Sequence, residues 1–274
     1  MSLLEKIKSA LGLETENNAM TVETENNTMT VETENDKILA EIRALPDNTE
    51  KLDLSDRPLT SLAGVKFPSG LKHLDISFTQ ISSLSGVTLP DGLEYLKLSY
   101  TPLTNLKDAV FPEGLEELWL NGTKITDLES VKLPKNLKIL ILSHTNLRSL
   151  RGTTFPPNLD TLFLNYTPLQ DLEDVNLPRS LGALRLVHTT LTKVPTVIKH
   201  LKNLRYLDLS GLHLTELPDW LPDLGLPFTR KRDVQGIILE DTKDTQHHRQ
   251  KDGKQCGQCL FVHKNLRGHN LIRL

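Results

Sequence analysis

The side chains of this chain that best match metal or redox chemistry lie near its C-terminus. Cys256 and Cys259 form a CxxC pair, and His263 follows shortly after. Thiolate and imidazole both bind zinc, and the CxxC spacing lets two sulfurs reach one ion. Such a site normally needs a second ligand pair, and the sequence has no second CxxC. We therefore expect no metal, with zinc at Cys256, Cys259 and His263, His269 or His247 left as an alternative.

Patterns typical of enzymes are missing from the sequence. A dithiol redox pair is expected within a βαβ unit, and no such pattern surrounds Cys256. The sequence contains no HExxH and no GxxxxGK[ST] phosphate loop. His144 and His188 recur in one column of a repeat without an evident acid or nucleophile as partner. These observations predict a protein that is not an enzyme and has no cofactor.

Charge and hydropathy limit the classes of partner. The formal net charge of −3 gives no reason to expect nucleic acid. No apolar run approaches the roughly 20 residues that a membrane-spanning helix needs. The first residues, MSLLEKIKSALGL, are interrupted by charge and do not form the apolar core of a signal peptide. We expect a cytoplasmic monomer without stable membrane insertion.

A 22-residue repeat sets the elements that must position any functional side chain. Copies open at Thr49, at Leu204 and at six leucines between them, namely Leu71, Leu93, Leu115, Leu137, Leu159 and Leu181. A fixed period of this length is the signature of a solenoid. In the pattern LxxLxLSxTxLxxL, the apolar residues at positions 4 and 6 fit a short strand with alternate side chains inward. One strand per copy predicts a parallel sheet along one side of the coil.

Proline determines what the opposite, convex side can be. It occupies position 20 of six successive copies, at Pro68, Pro90, Pro112, Pro134, Pro156 and Pro178. Proline fixes φ and removes a backbone donor, so we expect extended and 3₁₀ segments there with no full α-helix. From about residue 195 the sequence VPTVIKHLKNL is one residue longer and permits a helix.

The pattern LxxLxLSxTxL resembles the leucine-rich repeat family from residue 49 to about residue 226. The resemblance implies an α/β solenoid, a leucine-rich repeat horseshoe with one short parallel strand per repeat and a mostly 3₁₀ or extended convex side. The family usually has Asn at position 9, where its side chain bonds the backbone after the strand. Threonine takes that position here, and its hydroxyl can serve the same backbone; the residues are Thr79, Thr101, Thr123, Thr145, Thr167 and Thr189.

The segments outside the repeats differ from them in composition. Residues 1–36 are acidic, and we expect them to be disordered apart from a short amphipathic helix. Residues 37–48 are expected to form a helical cap with Asp36 as its N-cap. After the repeats of residues 49–226, residues 227–241 resemble the capping end of bacterial leucine-rich repeat arrays. Residues 242–274 are expected to form a disordered basic tail, and their abrupt start also fits a shifted reading frame.

Positions 3, 5 and 8 of each copy should point out of the concave sheet and form a surface for a protein partner. Aromatic side chains gather there, and we take Trp119, near the middle, as the anchor. The predicted contact residues are His73, Phe78, Tyr95, Tyr100, Trp119, Ile141, His144, Phe163, Tyr166, Arg185 and Tyr206. One alternative is that the rings pack on each other across neighbouring strands. Phrases such as LPxxLxxLxL also resemble secreted bacterial effectors of the family, so an effector that acts on a host protein is a second alternative.

Overall fold

A computed structural model describes residues 34–229 and 235–240, and within them one parallel sheet runs the length of the molecule. Its strands lie side by side in chain order, each paired with the next. They are β1 Lys51–Asp53, β2 His73–Asp75, β3 Tyr95–Lys97, β4 Glu117–Trp119, β5 Ile139–Ile141, β6 Thr161–Phe163, β7 Ala183–Arg185, β8 Tyr206–Asp208 and β9 Gly236–Ile238. The predicted solenoid with one short parallel strand per repeat is confirmed.

The leucine at position 4 sets the register of the sheet. Leu52 pairs with Leu74, and the same column continues strand by strand to Leu184 and Leu207. From Leu74 onward these side chains are fully buried in one continuous core, together with the leucines that open the second to eighth copies, of which none is more than 5% exposed. Each such side chain stabilises the fold by about 1.5–3 kcal/mol when it leaves water. Because no copy can bury this face alone, the copies must stack.

The convex side consists of turns in the first six copies, as the prolines predict. The amide of each following leucine bonds the carbonyl of the proline three residues earlier, for example Leu71 to Pro68 at 3.2 Å and Leu93 to Pro90 at 3.0 Å. Beyond Pro195 the backbone forms a 3₁₀ helix, Thr196–His200, and a second one follows at Leu221–Leu224. The change from turns to helix occurs where the sequence loses the position-20 proline.

The N-terminal helix covers residues 34–43 of the described chain. The predicted N-cap, Asp36, is wrong, because it lies inside this helix. Its neighbour Asn35 also lies in the helix and is only 8% exposed. Asn35 Oδ1 accepts hydrogen bonds from the amides of Thr60 at 2.9 Å and Ser61 at 3.2 Å, which holds this part of the helix against the first repeat. Residues 34–36, predicted to belong to a disordered segment, are therefore part of the helix.

A ninth strand, which the repeat pattern did not predict, extends the sheet at its C-terminal end. β9 pairs with β8 through Leu207 and Ile237. On its other side, the Ile237 amide donates to the Pro227 carbonyl at 2.8 Å, and the Ile237 carbonyl accepts from the Thr229 amide at 2.9 Å. This contact forms a parallel bridge between Phe228 and Ile237. The main chain of residues 227–229 thus occupies the outer edge of the last strand.

Candidate functional site

Position 8 of every repeat has a left-handed backbone conformation. We call its side chains the turn row; glycine fills the column in the fourth and eighth copies. The φ values are 59° at Asp56, 58° at Phe78, 57° at Tyr100, 74° at Gly122, 58° at His144, 56° at Tyr166, 51° at His188 and 68° at Gly211. A residue with a side chain adopts this conformation at a cost of about 1–3 kcal/mol. Five of the six non-glycine positions in this column therefore hold a ring in a strained turn, and Asp56 is the sixth.

Two kinds of hydrogen bond hold this turn. The amide of position 8 donates to the position 7 carbonyl of the next copy, as in Tyr100 to Asn121 and His144 to Asn165, both at 2.7 Å. The threonine at position 9 donates its hydroxyl to the position 6 carbonyl of its own copy, for example Thr101 to Leu98 at 2.8 Å. Five of the six threonines do so, and Thr189 Oγ1 is buried without a partner. The threonines thus fix each turn locally, while the backbone joins the copies.

The rings of the turn row stack on one another. Phe78 and Tyr100 lie parallel with centroids 4.7 Å apart. After Gly122 the stack resumes as His144 with Tyr166 at 4.5 Å and Tyr166 with His188 at 4.9 Å. These distances match the roughly 4.8 Å between strands, so the repeat spacing itself brings the rings to stacking distance. The result is one pair and one trio of rings.

Glycine marks the end of each stack. A side chain at Gly122 would collide with the Tyr100 ring, and one at Gly211 would collide with the His188 ring. The last ring of each stack therefore lies over bare backbone. The rings remain open to solvent at their outer edges, since Phe78 is 51% exposed and Tyr100 and Tyr166 are each 49% exposed.

The side chains at positions 3 and 5 of each repeat, which lie in strands β1–β8, also contact one another. We call them the strand row. His73 packs against Tyr95 at 5.7 Å, and Tyr95 against Trp119 at 6.1 Å. The indole of Trp119 donates from Nε1 to Glu117 Oε2 at 3.1 Å, and Lys97 Nζ lies 6.0 Å from its ring. The alternative in which the rings pack on each other across neighbouring strands thus describes part of this row, and the stacked rings of the turn row fit it as well.

The strand row is less exposed than the turn row. Tyr95, Trp119, Phe163 and Tyr206 are all half-buried. Ile141, between Trp119 and Phe163 in the register, is only 7% exposed although it lies outside the leucine core. Ile141 therefore offers little surface to a partner.

A cluster at the C-terminal end of the strand row surrounds Arg185. Its guanidinium carbon lies 4.5 Å from the Phe163 ring centroid and 4.9 Å from that of Tyr206. The Tyr206 hydroxyl accepts a bond from Arg185 at 3.2 Å and donates a long one to Asp208 at 3.4 Å. Burial raises the pKa of Tyr206, and the Asp208 charge raises it further, while Arg185 opposes both. The phenol therefore stays protonated at neutral pH.

Ion pairs neutralise two other cations close to the concave face. Lys97 Nζ is 3.1 Å from Asp75. Burial lowers the pKa of Lys97, but the hydrogen bond and charge of Asp75 outweigh it, so the pKa is raised overall. At position 2, Arg205 reaches across Gly182 to Asp160 at 2.9 Å, which a side chain at Gly182 would obstruct. Arg185 forms no ion pair in the described part of the chain.

Other kinds of site find no support in residues 34–229 and 235–240. These residues contain no group of three His, Cys, Asp or Glu side chains placed to hold a metal ion. None of their helices combines the length and the apolar character that crossing a bilayer requires. Cys256, Cys259 and His263 lie outside the described residues.

The structure gathers the predicted contact residues into two separate rows. His73, Tyr95, Trp119, Ile141, Phe163, Arg185 and Tyr206 belong to the strand row, and Phe78, Tyr100, His144 and Tyr166 to the turn row. The described ring contacts join members within a row and never link the two rows. The predicted set omitted His188, which completes the trio. Gly122 and Gly211 were the signal for this turn, because a column that alternates between rings and glycine suggests a positive φ.

Comparison with known proteins supports the architecture. Residues 203–224 match the Leucine Rich Repeat family. No curated protein is a significant match in sequence.

Several solved structures resemble the fold at low sequence identity. An internalin from Listeria monocytogenes is 20% identical, with a TM-score of 0.53 over 62% of this chain and 50% of its own. Internalin C2 from the same organism is 20% identical, with a TM-score of 0.58 over 70% of this chain and 80% of its own. A leucine-rich repeat protein from Leptospira interrogans is 23% identical, with a TM-score of 0.52 over 74% of this chain and 52% of its own. The chain thus spans about half the length of two of these three proteins.

Proposed function

Because this chain is a leucine-rich repeat protein, we propose that it is a non-catalytic interaction module whose concave side binds a protein partner. The observation that carries the proposal is the turn row, where rings stay about half exposed in strained left-handed turns. Glycine or asparagine would relieve that strain, so rings at these positions suggest a role beyond folding. Exposed aromatic side chains in a continuous band are typical of interfaces.

The strand row supports the same proposal. It carries an apolar and aromatic centre around Trp119, with charged residues such as Asp53 near one end and Arg185 near the other. In protein interfaces the desolvated centre supplies affinity and the charged rim supplies orientation. Eight strands about 4.8 Å apart give a face roughly 34 Å long, which accommodates an interface of standard size.

The experiment uses the full chain as bait for the cytosol of its source organism and, separately, for host-cell cytosol. We expect Trp119→Ala to leave the fold intact, because the indole points away from the leucine core, and to weaken binding of the retained protein by about 2 kcal/mol or more. Circular dichroism checks the fold, and titration calorimetry with the identified protein measures the affinity.

Lys132→Glu is the matched control, since Lys132 is exposed on the convex side. It should bind as the unchanged chain does. The concave-face proposal fails if Lys132→Glu abolishes binding while Trp119→Ala does not. The cytosol that supplies the partner separates a cytoplasmic module from a secreted effector that acts on a host protein.

A metal or redox role through Cys256 and Cys259 is the second alternative. Stoichiometric zinc in protein purified without added metal, or melting that shifts with a chelator, would favour it. We expect neither, because the CxxC pair has no companion pair in the sequence.

A further inference from the structure

We propose that Arg185 is the docking point for a carboxylate of the protein partner, supplied by an Asp or Glu side chain. The inference rests on the proposed protein-binding function and adds the chemistry of what is bound at one end of the strand row. It comes from the way Arg185 is held, from its lack of an acidic partner and from a shielded donor atom.

The guanidinium of Arg185 is held in place before any partner arrives. The ring centroids of Phe163 and Tyr206 lie 4.5 Å and 4.9 Å from its central carbon. The Tyr206 hydroxyl accepts a hydrogen bond from Arg185 Nη2 at 3.2 Å. Contacts with two rings limit the rotamers of a long side chain, so little conformational entropy remains to be lost on binding. A pre-positioned guanidinium presents its donors as a planar fork.

The nearest acidic side chain in the register does not neutralise Arg185. Asp208 lies opposite it in the sheet but is only 2% exposed. Its Oδ1 accepts from the backbone amide of Ser210 at 3.1 Å and from the Ser210 hydroxyl at 2.6 Å. The other carboxylate oxygen, Oδ2, accepts the long bond from the Tyr206 hydroxyl at 3.4 Å, so Asp208 is linked to Arg185 only through that hydroxyl. Two other cations near the concave face do have acidic partners: Lys97 is paired with Asp75, and Arg205 is paired with Asp160.

One donor of Arg185 is shielded from solvent without an acceptor. The Nε atom is buried and has no hydrogen-bond partner. A charged N–H group that leaves water without an acceptor is unfavourable, and because Nε is enclosed, an incoming acceptor can compensate for it only at the terminal nitrogens of the same guanidinium. A carboxylate brings two oxygens in a plane and matches the guanidinium fork.

Charge argues for a carboxylate from a protein rather than for a phosphate. The site offers one unpaired cation, and the neighbouring Asp208 would repel a doubly charged group more strongly than a single carboxylate. The chain as a whole carries a net charge of −3 and has no excess of cations to draw a polyanion. The chemistry of the site therefore fits an isolated acidic side chain within a largely apolar contact.

The test uses a displayed library of random twelve-residue peptides selected on the immobilised full chain. We expect selected peptides to contain Asp or Glu, and Arg185→Gln to weaken their binding about tenfold or more. Replacing the peptide's acidic residue by its amide should cause the same loss on the unchanged chain and little further loss on Arg185→Gln. Arg205→Gln, which removes an equal charge one strand away, should change binding little, because Arg205 already has Asp160.

Each result decides the inference. If Trp119→Ala weakens peptide binding but Arg185→Gln does not, the binding face stands and the role of Arg185 is overturned. If neither variant weakens binding, the concave-face proposal fails as well. Equal losses for Arg205→Gln and Arg185→Gln would show long-range charge attraction and also overturn it.

Two further measurements keep the test valid. Should Arg185→Gln unfold, the Nε–H resonance of Arg185 in the unchanged chain decides, since it must shift when an acidic peptide is added and stay in place with the amide version.

The acidic segment of this chain is the competing occupant. If glutamine at Glu14, Glu16, Glu23 and Glu25 raises peptide affinity for the unchanged Arg185 site, that segment occupies the site and the partner assignment is overturned.

Discussion

At a left-handed φ the usual order of alanine and glycine in stability reverses. Tyr166 has a φ of 56° and stacks between His144 and His188. Either small residue removes both ring contacts. Only alanine, however, keeps a Cβ in a conformation that glycine adopts freely. The difference between the two variants therefore isolates the strain of the turn from the stacking energy.

We expect Tyr166→Gly to be more stable than Tyr166→Ala by about 1 kcal/mol, with both less stable than the unchanged chain. Urea denaturation gives the three free energies of unfolding. Lys124 is the control position, because it is exposed and has no positive φ. There, Lys124→Ala should be the more stable variant. If the alanine variant were the more stable one at Tyr166 as well, the turn row would not be strained.

The sequence predicted which residues face the concave side but not how they are arranged there. Periodicity identifies position 8 as outward-facing, which is enough to find Tyr100 and Tyr166. It carries no direct information on φ, and the strain at these residues follows from backbone bonds to the next copy, such as Tyr166 to Val187 at 2.7 Å. Likewise, the position of Arg185 between two rings depends on residues that lie about 22 positions away on either side.

The N-terminal helix is attached to the first repeat by a polar contact as well as by its apolar face. Asn35→Ala should lower the free energy of unfolding by about 1–2 kcal/mol, because the amides of Thr60 and Ser61 lose their acceptor. Asn35→Asp keeps an acceptor and should lose less. Urea denaturation measures the stability, and hydrogen exchange at Thr60 and Ser61 should accelerate in the alanine variant.

A neighbouring substitution tests whether any change in this helix has the same effect. Lys37 forms an exposed ion pair with Glu34, so Lys37→Ala should cost at most about 0.5 kcal/mol. A loss as large as that of Asn35→Ala would show that helix propensity, and not the buried amide, determines the attachment.

The 3₁₀ helix at Thr196–His200 is fastened to the preceding copy by Glu173. The Thr196 hydroxyl donates to Glu173 Oε2 at 2.5 Å, and Lys193 Nζ lies 3.2 Å from Oε1. The hydrogen bond from Thr196 lowers the pKa of Glu173 below its ordinary value of 4.5; burial opposes this, and Lys193 lowers it further. The ionised carboxylate is therefore the form that the fold stabilises.

This contact predicts a pH dependence. A carboxyl whose pKa is depressed by folding stabilises the protein fully above its ordinary value of 4.5, and that contribution disappears as the pH falls through the lower folded value. Glu173→Gln should cost about 0.5–1 kcal/mol at neutral pH and little below the folded pKa. Urea midpoints between pH 7 and pH 3 give the comparison, and Glu216→Gln, at an exposed position, is the control. Parallel pH profiles for the unchanged chain and Glu173→Gln would contradict the assignment.

Elements with a periodic signal were predictable, whereas those fixed by single contacts were not. The spacing of Leu74 and Ile76 specifies a strand, and Pro90 excludes a helix behind it. β9 has no such signal, because it follows β8 after about 30 residues instead of 22, and it is defined by its pairing with β8 and by its contact with residues 227–229. The attachment of the N-terminal helix depends in the same way on Asn35, whose partners lie 25 and 26 residues further along the chain.

At the scale of the whole molecule, the boundary of the folded unit can be tested to within three residues. Residues 34–241 should unfold with the same free energy as the full chain, whereas residues 37–241 should be less stable by about 1–2 kcal/mol because they lack Asn35. Urea denaturation of the two fragments beside the full chain makes the comparison. If the longer fragment fails to fold, the segments outside it contribute to folding; if the two fragments are equally stable, the Asn35 contact contributes nothing.

Repeats that each stack on the next could in principle continue without limit. The segments that cover the two ends of the array therefore determine where it stops. Ile38 and Ile42 of the N-terminal helix are each 1% exposed, packed into the core at the first copy. At the other end, Pro227 and Thr229 already bond the outer edge of β9. An uncovered edge would offer its unpaired amides and carbonyls to another molecule, and head-to-tail addition of that kind does not close on itself. The same geometry that builds the array would then allow it to polymerise into a fibre, and these two short segments cover the edges at which such addition would begin.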